Sequence, residues 1–200
     1  MILVLLGGGG HAISCLDVIE STGLFEVIGI ITPAKTDNKT HLPWLGTDDD
    51  LDNILSDEVF GGLVTLGQIK TAEPRKQLFA RLEGLSLKSP PVISPHAYTS
   101  GTVKVGDGTI VMHRALLNAN ACVGENSIIN SGAIIEHEVC IGDNCHVSTG
   151  AIINGGVRIE SDCFIGSGAV IHQSVTIGKG SIIPAGSIVA GDTNCLRSRP

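Results

Sequence analysis

The residues best suited to proton chemistry are Glu136, His137 and Glu138. Histidine titrates near neutral pH, and an adjacent carboxylate raises its basicity and fixes its tautomer. A histidine–acid pair over a cleft is what removing a proton from an amine or a hydroxyl requires. His113, His146 and His172 also stand outside any core pattern; a solvated surface residue is the plain alternative for each. A zinc site would draw on His113, His137 and His146, but no two of them are close in the sequence, and no metal is expected. A second candidate is the run Gly7-Gly8-Gly9-Gly10-His11-Ala12. Gly7, Gly9 and Ala12 have the G-x-G-x-x-A spacing that brings backbone N–H groups and a helix start toward an anion. A dinucleotide site would also want an acid at the end of the second strand. Ile30, Ile31 and Thr32 stand there, so NAD is not expected.

The elements that must position these residues follow from a repeat of six. Every sixth residue from Val105 to Val189 is aliphatic, and the residue two before each is small: Ala115, Ala121, Ser127, Ala133 and so on. Neither a helix nor an alternating strand has this period; it is the hexapeptide signature of a parallel β-helix. Both columns point inward, Cys145 and Cys163 among the small residues. Gly or Asn follows many of the aliphatics (Gly106, Asn118, Gly124, Asn130, Gly142), and turns with unusual backbone angles are expected there. Gly106, Gly124, Gly142 and Gly178 lie on a spacing of 18 that Glu160 interrupts. Three hexapeptides then make one coil, and about five coils stack at the ~4.8 Å sheet spacing. A β-sandwich would alternate with period two.

Upstream, Ile2–Leu6 reads as a buried strand and 12–21 as a helix with Ile13, Leu16 and Ile19 on one face. Val27–Ile31 reads as a second strand, which completes a βαβ unit. Residues 32–45 read as an irregular loop, after which Thr47 or Asp48 caps a short helix with Asp49 and Asp50 in its first turn. Gly61–Gly67 reads as a third strand and 72–82 as a helix with Arg75, Lys76 and Arg81 on its wet side. Ser89-Pro90-Pro91 reads as a linker between a domain at 1–91 and a domain at 92–200. Residues 92–104 begin the coils irregularly, and the tail after Gly191 holds no pattern. The fold class is therefore α/β plus β.

The formal net charge is −7 with scattered Lys and Arg, which argues against nucleic acid. Six cysteines occur without a CxxC pair. Cys122 and Cys140 should stack on one outward face as reduced thiols. The start, MILVLL, has no basic n-region, and no apolar run approaches membrane-spanning length. A cytoplasmic protein is expected.

The GGGGHA loop, together with the stretch IINSGAIIEHEVCIGDNCHVSTGAIINGG, resembles the bacterial sugar acetyltransferases of the sialic acid O-acetyltransferase and bacillosamine–perosamine N-acetyltransferase group, from about Ile2 to Val189. The resemblance implies a left-handed β-helix behind a Rossmann-like domain, and a homotrimer with active sites between neighbouring subunits. It implies acetyl-CoA as donor and a nucleotide-linked amino sugar, or a sialic-type sugar, as acceptor. By motif, His137 would be the general base and Glu138 the acid that raises its basicity. His146 would contact the acetyl group or pantetheine of acetyl-CoA, and Ser167 and Ala185 match further acetyl-CoA positions. Gly9, Gly10 and His11 match the loop that holds the sugar nucleotide, and Gly67 matches another substrate position. Ile31 and Thr32 replace the paired acids that often accompany a UDP-sugar. Val189-Ala190-Gly191-Asp192-Thr193 replaces the G-x-P-A ending near CoA. A zinc hydratase and a non-catalytic hexapeptide scaffold are the competing classes.

Overall fold

The computed structural model describes residues 1–54 and 61–194. It divides into two compact units, one of residues 1–67 and 73–90, the other of residues 68–72 and 91–200; of the latter, residues 195–200 of the tail lie outside the described residues.

The first unit is built on a parallel sheet. Strand β1 (Ile2–Leu6) is flanked by β2 (Glu26–Ile31) and β4 (Gly61–Val64), with β3 (Trp44–Gly46) outside β2. Leu3 to Leu6 are fully buried, as expected for a central parallel strand covered on both faces. Helix α1 (Gly10–Thr22) crosses from β1 to β2 and stops at Gly23, whose φ of 65° lets its N–H reach Glu20 O. α1 buries Ala12, Cys15, Leu16, Val18 and Ile19, whereas Ile13 lies outside that stripe at 49% exposure. The expected loop at 32–45 is not structureless: Lys35–Asp37 forms a 3₁₀ turn, and Trp44 pairs with Ile30. Three residues are too few to show an alternation. Thr47 opens the 3₁₀ turn Asp48–Asp50 that leads into α2 (Leu51–Ile54). Its N–H and hydroxyl both donate to the Asp50 carboxylate, at 2.9 and 2.8 Å, which lowers the Asp50 pKa, the backbone bond most.

Helix α3 (Glu73–Gly84) corrects the expected wet side. Arg75 is 1% exposed and its guanidinium donates to Val64 O (2.7 Å) and Leu66 O (2.9 Å). Its place is legible afterwards: Arg75, Phe79 and Leu82 follow the i, i+4, i+7 rule for one helix face and are the buried residues of α3. Burial lowers the Arg75 pKa to about 10, still charged at neutral pH, and pushes the nearby Cys15 thiol up to about 12. Arg75 thus pins the end of β4.

The second unit is the β-helix. Its three parallel sheets have five, six and six strands, most partners 18 residues apart: Ile134 pairs with Leu116 and Ile152, Cys140 with Cys122 and Arg158, His146 with Ile128 and Phe164. The two inward columns form one core, nearly all of it under 6% exposed. Regular pairing already begins at Val92–Ile93 and Tyr98–Thr99, earlier than expected, because Thr99 fills the aliphatic column with a hydroxyl. The tail continues the stack as well: Thr193 bridges Ile177, and Asp192 accepts from Thr176 N at 2.8 Å.

The turns revise the reading of their glycines. Left-handed backbone recurs every six residues from Gly108 to Gly186, with φ between 49° and 70°. It falls two positions after Gly106, Gly124 and Gly142. Those three are glycine because the next coil passes too close: a Cβ on Gly124 would lie 2.7 Å from Gly142 C, and one on Gly142 2.7 Å from Ser161 N. The polar members of the small column have a use in the same corner. Thr109 Oγ1 accepts from Ser127 N, and Ser127 Oγ from Cys145 N, both at 2.9 Å, so buried amides are satisfied coil by coil. On the outside, Cys122 donates to Cys140 with sulfurs 2.6 Å apart, both free thiols; burial first, then that hydrogen bond, raises the Cys122 pKa to about 11.

Replacing Arg75 by Met should leave two buried carbonyls without their charged donor and cost about 2–4 kcal/mol of stability. Urea unfolding measures this, and an unchanged midpoint would contradict the pinning role.

Candidate active site

His137 and Glu138 lie in the turn between strands Ile134–Ile135 and Cys140–Ile141. The backbone there is tied to both neighbouring coils: Glu138 N donates to Ala119 O and His137 O accepts from Gly156 N, each at 3.0 Å. On this fixed frame His137 Nδ1 sits 3.3 Å from Glu138 Oε2. With the proton on Nδ1, that nitrogen donates to the carboxylate and Nε2 is left as the basic lone pair. Both side chains are mostly exposed, 60% and 67%, so the pair adds little to stability. Glu138 takes up the recurring left-handed position with φ 60°. Gly, Asn or Asp fills most of these positions, and a Glu there carries roughly 1–2 kcal/mol of backbone strain. Beside it, Glu136 Oε2 accepts from Asn118 Nδ2 at 2.8 Å.

His146 is a different kind of residue. It points outward from strand His146–Val147 yet is 6% exposed. Gln68 lies against this part of the coil, where its Nε2 donates to Asn144 O at 2.9 Å. His146 Nδ1 donates to Gln68 O at 2.6 Å, and Asn130 Nδ2 lies 3.1 Å from its Nε2. The ring is therefore held as the neutral Nδ1–H tautomer and packs edge-on against Phe164, 5.2 Å between centroids. His137 and His146 are separated by a strand and a further turn, so the coil does not bring them together.

Ser167 and Ala185 are exposed and stack on one corner, as their spacing implied: Gly186 N donates to Ser167 O and Gly168 N to Thr149 O. Ser148 Oγ reaches Ser167 Oγ at 2.9 Å. His113 lies lower on that same corner column and is tied to Ser94 Oγ at 2.6 Å. His172 is exposed on the His137 corner. No group of three His, Cys, Asp or Glu side chains among the described residues could hold a metal ion.

In the first unit the glycine loop separates into two halves. Gly7 has φ 109° and a Cβ there would lie 2.9 Å from Leu66 N; on Gly8 it would lie 2.7 Å from the Thr32 methyl. Those two are required by the fold. Gly9 and Gly10 have nothing within 4 Å of an added Cβ; the fold leaves this space open at the start of α1. That helix start has no capping side chain and no acid in its first turn, which leaves its positive end available to an anion. A Cβ built on Gly67 would lie 3.5 Å from His11 Cβ, so four residues singled out in the sequence converge. Behind the loop, at the carboxyl ends of β1, β2 and β4, lies a cavity of about 360 Å³ lined by Gly7, Ile31, Pro33, Asp48, Gln77 and Arg81 among others. Neither this cavity nor the Gln68 and Asn130 contacts to His146 can be read from the residues alone, since each joins positions from different parts of the chain.

Residues 2–82 match the family model described as the PglD N-terminal domain, and residues 156–191 match the bacterial transferase hexapeptide model. The chain is thus similar to PglD-type N-terminal domains over its first part and to hexapeptide-repeat transferases over part of the rest, each model covering less than half of it. No curated protein sequence matches it significantly, but solved structures do. The acetyltransferase domain of PglB from Neisseria gonorrhoeae, in complex with acetyl coenzyme A, superposes with TM-score 0.89 at 28% identity, over 96% of this chain and 92% of that one. PerB from Caulobacter crescentus, in complex with CoA and GDP-perosamine, gives 0.89 at 29% identity over 97% and 91%. WeeI from Acinetobacter baumannii shares the fold, with TM-score 0.85 at 23% identity over 98% and 94%. The resemblance read from the residues holds over nearly the whole chain, as does the Rossmann-like unit followed by a parallel β-helix of hexapeptide repeats.

Gly7→Ala should lower the unfolding free energy by about 1–3 kcal/mol, whereas Gly10→Ala at the open helix start should leave it unchanged or raise it by up to about 1 kcal/mol. Equal losses in urea unfolding would show that all four glycines serve the turn.

Proposed function

We propose that this protein transfers the acetyl group of acetyl-CoA to the amino group of a nucleotide-linked amino sugar during bacterial surface-glycan biosynthesis. The observation that carries the reading is the exposed His137–Glu138 pair on a backbone locked to two coils, in a chain that superposes on PglB and PerB at TM-score 0.89. PglB was solved with acetyl coenzyme A and PerB with GDP-perosamine; donor and acceptor classes follow by likeness.

In the mechanism, His137 Nε2 takes a proton from the acceptor nitrogen as that nitrogen attacks the thioester carbonyl. Glu138 stabilises the imidazolium. The tetrahedral intermediate collapses with cleavage of the C–S bond, and the proton passes from His137 to the departing CoA sulfur. No covalent enzyme intermediate is needed. His146, neutral and without a proton to give on Nε2, would line the acetyl and pantetheine path, and the Ser167–Ala185 edge would support the extended arm. Gly9, Gly10, His11 and Gly67 would hold the sugar nucleotide, its phosphates at the start of α1 and its base in the cavity behind. The reading places the enzyme in the cytoplasm with its acetyl-CoA; no helix among the described residues is long and apolar enough to cross a membrane.

The same reading includes a homotrimer. The face between the His137 corner and the Ser167 corner presents Leu116, Ile134, Ile152 and Val170 outward, half-buried, with Ile188 70% exposed at its end. An aliphatic stripe flanked by the base on one edge and the CoA positions on the other fits a face that packs against a second copy. The base of one chain would then meet the CoA edge of the next. A monomeric mass at micromolar concentration, with full activity, would contradict this.

O-acetylation of sialic-type sugars is the alternative acceptor chemistry, and the open Gly9–Gly10 space at a helix start favours a phosphate-bearing acceptor instead. Acetyl-CoA offered with UDP-, GDP- and dTDP-amino sugars, and with sialic-type acids, should release CoA with a nucleotide amino sugar. Release with only the sialic-type acids would overturn the assignment. His137→Ala should lower kcat by a factor on the order of 10² to 10⁴ with little loss of stability, and near-normal turnover would remove His137 from the mechanism. Glu138→Gly relieves the left-handed strain, so the fold should be at least as stable while kcat falls. A stability loss with intact turnover would reverse that assignment.

A further inference from the structure

Gly155 stands 18 residues after His137, in the same turn position of the next coil, as Ala119 does in the coil before. The backbone places them in one column: Gly156 N donates to His137 O and Ser174 N to Gly155 O, both at 3.0 Å. The His137 ring folds upward across the position that the side chain of residue 155 would occupy. A Cβ built on Gly155 would lie 2.6 Å from both Cε1 and Nε2 of His137, and 3.3 Å from Cδ2. Real Cβ atoms do not approach a ring this closely, so no other residue fits here with the ring in place. Conformation does not explain the glycine. Gly156 beside it has φ 70°, but Gly155 is not among the positive-φ residues, and any L-residue could adopt its backbone.

We infer that Gly155 is a positioning residue for His137: its missing side chain is the space that lets the imidazole lie with Nε2 over the turn while Nδ1 stays on Glu138. The inference rests on the reading of His137 as the base. An alanine at 155 has one outlet for its clash. The His137 side chain is 60% exposed and free to swing toward solvent, whereas the backbone is held on both sides. The ring moves and the coil stays. Shifts of about 1 Å in a reacting group lower rates by up to 10²-fold.

The test is Gly155→Ala alone and combined with His137→Ala. Gly155→Ala should keep the thermal midpoint of the wild type, lower kcat ten- to a hundred-fold, and change the KM for acetyl-CoA less than twofold. In the His137→Ala background the same change should alter the remaining rate less than twofold, since the residue it acts through is gone. Independently of turnover, the Cε1 proton resonance of His137, identified by its loss in His137→Ala, should shift in Gly155→Ala. Wild-type kcat with an unshifted resonance would overturn the inference. So would an equal rate loss in both backgrounds, which would mean that residue 155 acts on substrate or backbone directly. Failure of the underlying reading has its own signature: His137→Ala at full turnover. The resonance shift would still decide whether Gly155 sets the ring.

Discussion

The inward aliphatic column holds the rest of the β-helix in place. Ile135, Ile153 and Ile171 lie over one another on one sheet, and Val147, Ile165 and Ile183 on another, because each strand pairs with the strand 18 residues on. All six are at most 1% exposed. A strand that slipped by one residue would turn its column outward into water, so the register is strongly specified. Once it is set, every turn position falls into a vertical column, and corners become edges on which side chains can be placed at fixed intervals.

On such a frame the informative residues are those the frame does not need. Thr109, Ser127 and Cys145 stand in the small column; the two hydroxyls accept from the amides of Ser127 and Cys145, and the Cys145 thiol donates to Glu160 O. Glu138 takes a left-handed position where glycine would be easier, and its carboxylate faces His137. Gly155 gives up a side chain where backbone angles permit one. Departures on either side of His137 point to the same ring, and they cost conformational energy or packing that the column supplies. The first unit repeats this division within four glycines: two are forced by neighbours, and two leave room.

How much was legible in the residues follows the range of the interactions. The six-residue period, the coil of three hexapeptides and the His137–Glu138 turn are readable because each is local or recurs with a fixed period. The stacking of Ser167 with Ala185 was readable because it is one period. Contacts without a period were not. Gln68 reaches across 78 residues to fix His146, and nothing near Gln68 announces it. Arg75 reads as solvent-facing by its charge, yet its place on the Phe79–Leu82 face buries it. The Gly106–Gly124–Gly142 column is visible in the sequence but its cause is not, since close approach and left-handed backbone both select glycine, and only the structure assigns these three to close approach.

The central claim is that one edge of the aliphatic face carries the base, the opposite edge carries the acetyl-CoA positions, and a second copy joins them. Mixing two inactive chains tests this most directly. His137→Ala lacks the base, and Ser167→Trp fills the opposite edge. Each should be inactive alone. If sites form between copies in a cyclic trimer, random co-assembly pairs an intact base with an intact edge at about one site in four, and about a quarter of wild-type activity should return on refolding the two together. Activity no greater than that of the separate variants, with mixed trimers confirmed by mass, would place base and acetyl-CoA within one chain and contradict the account.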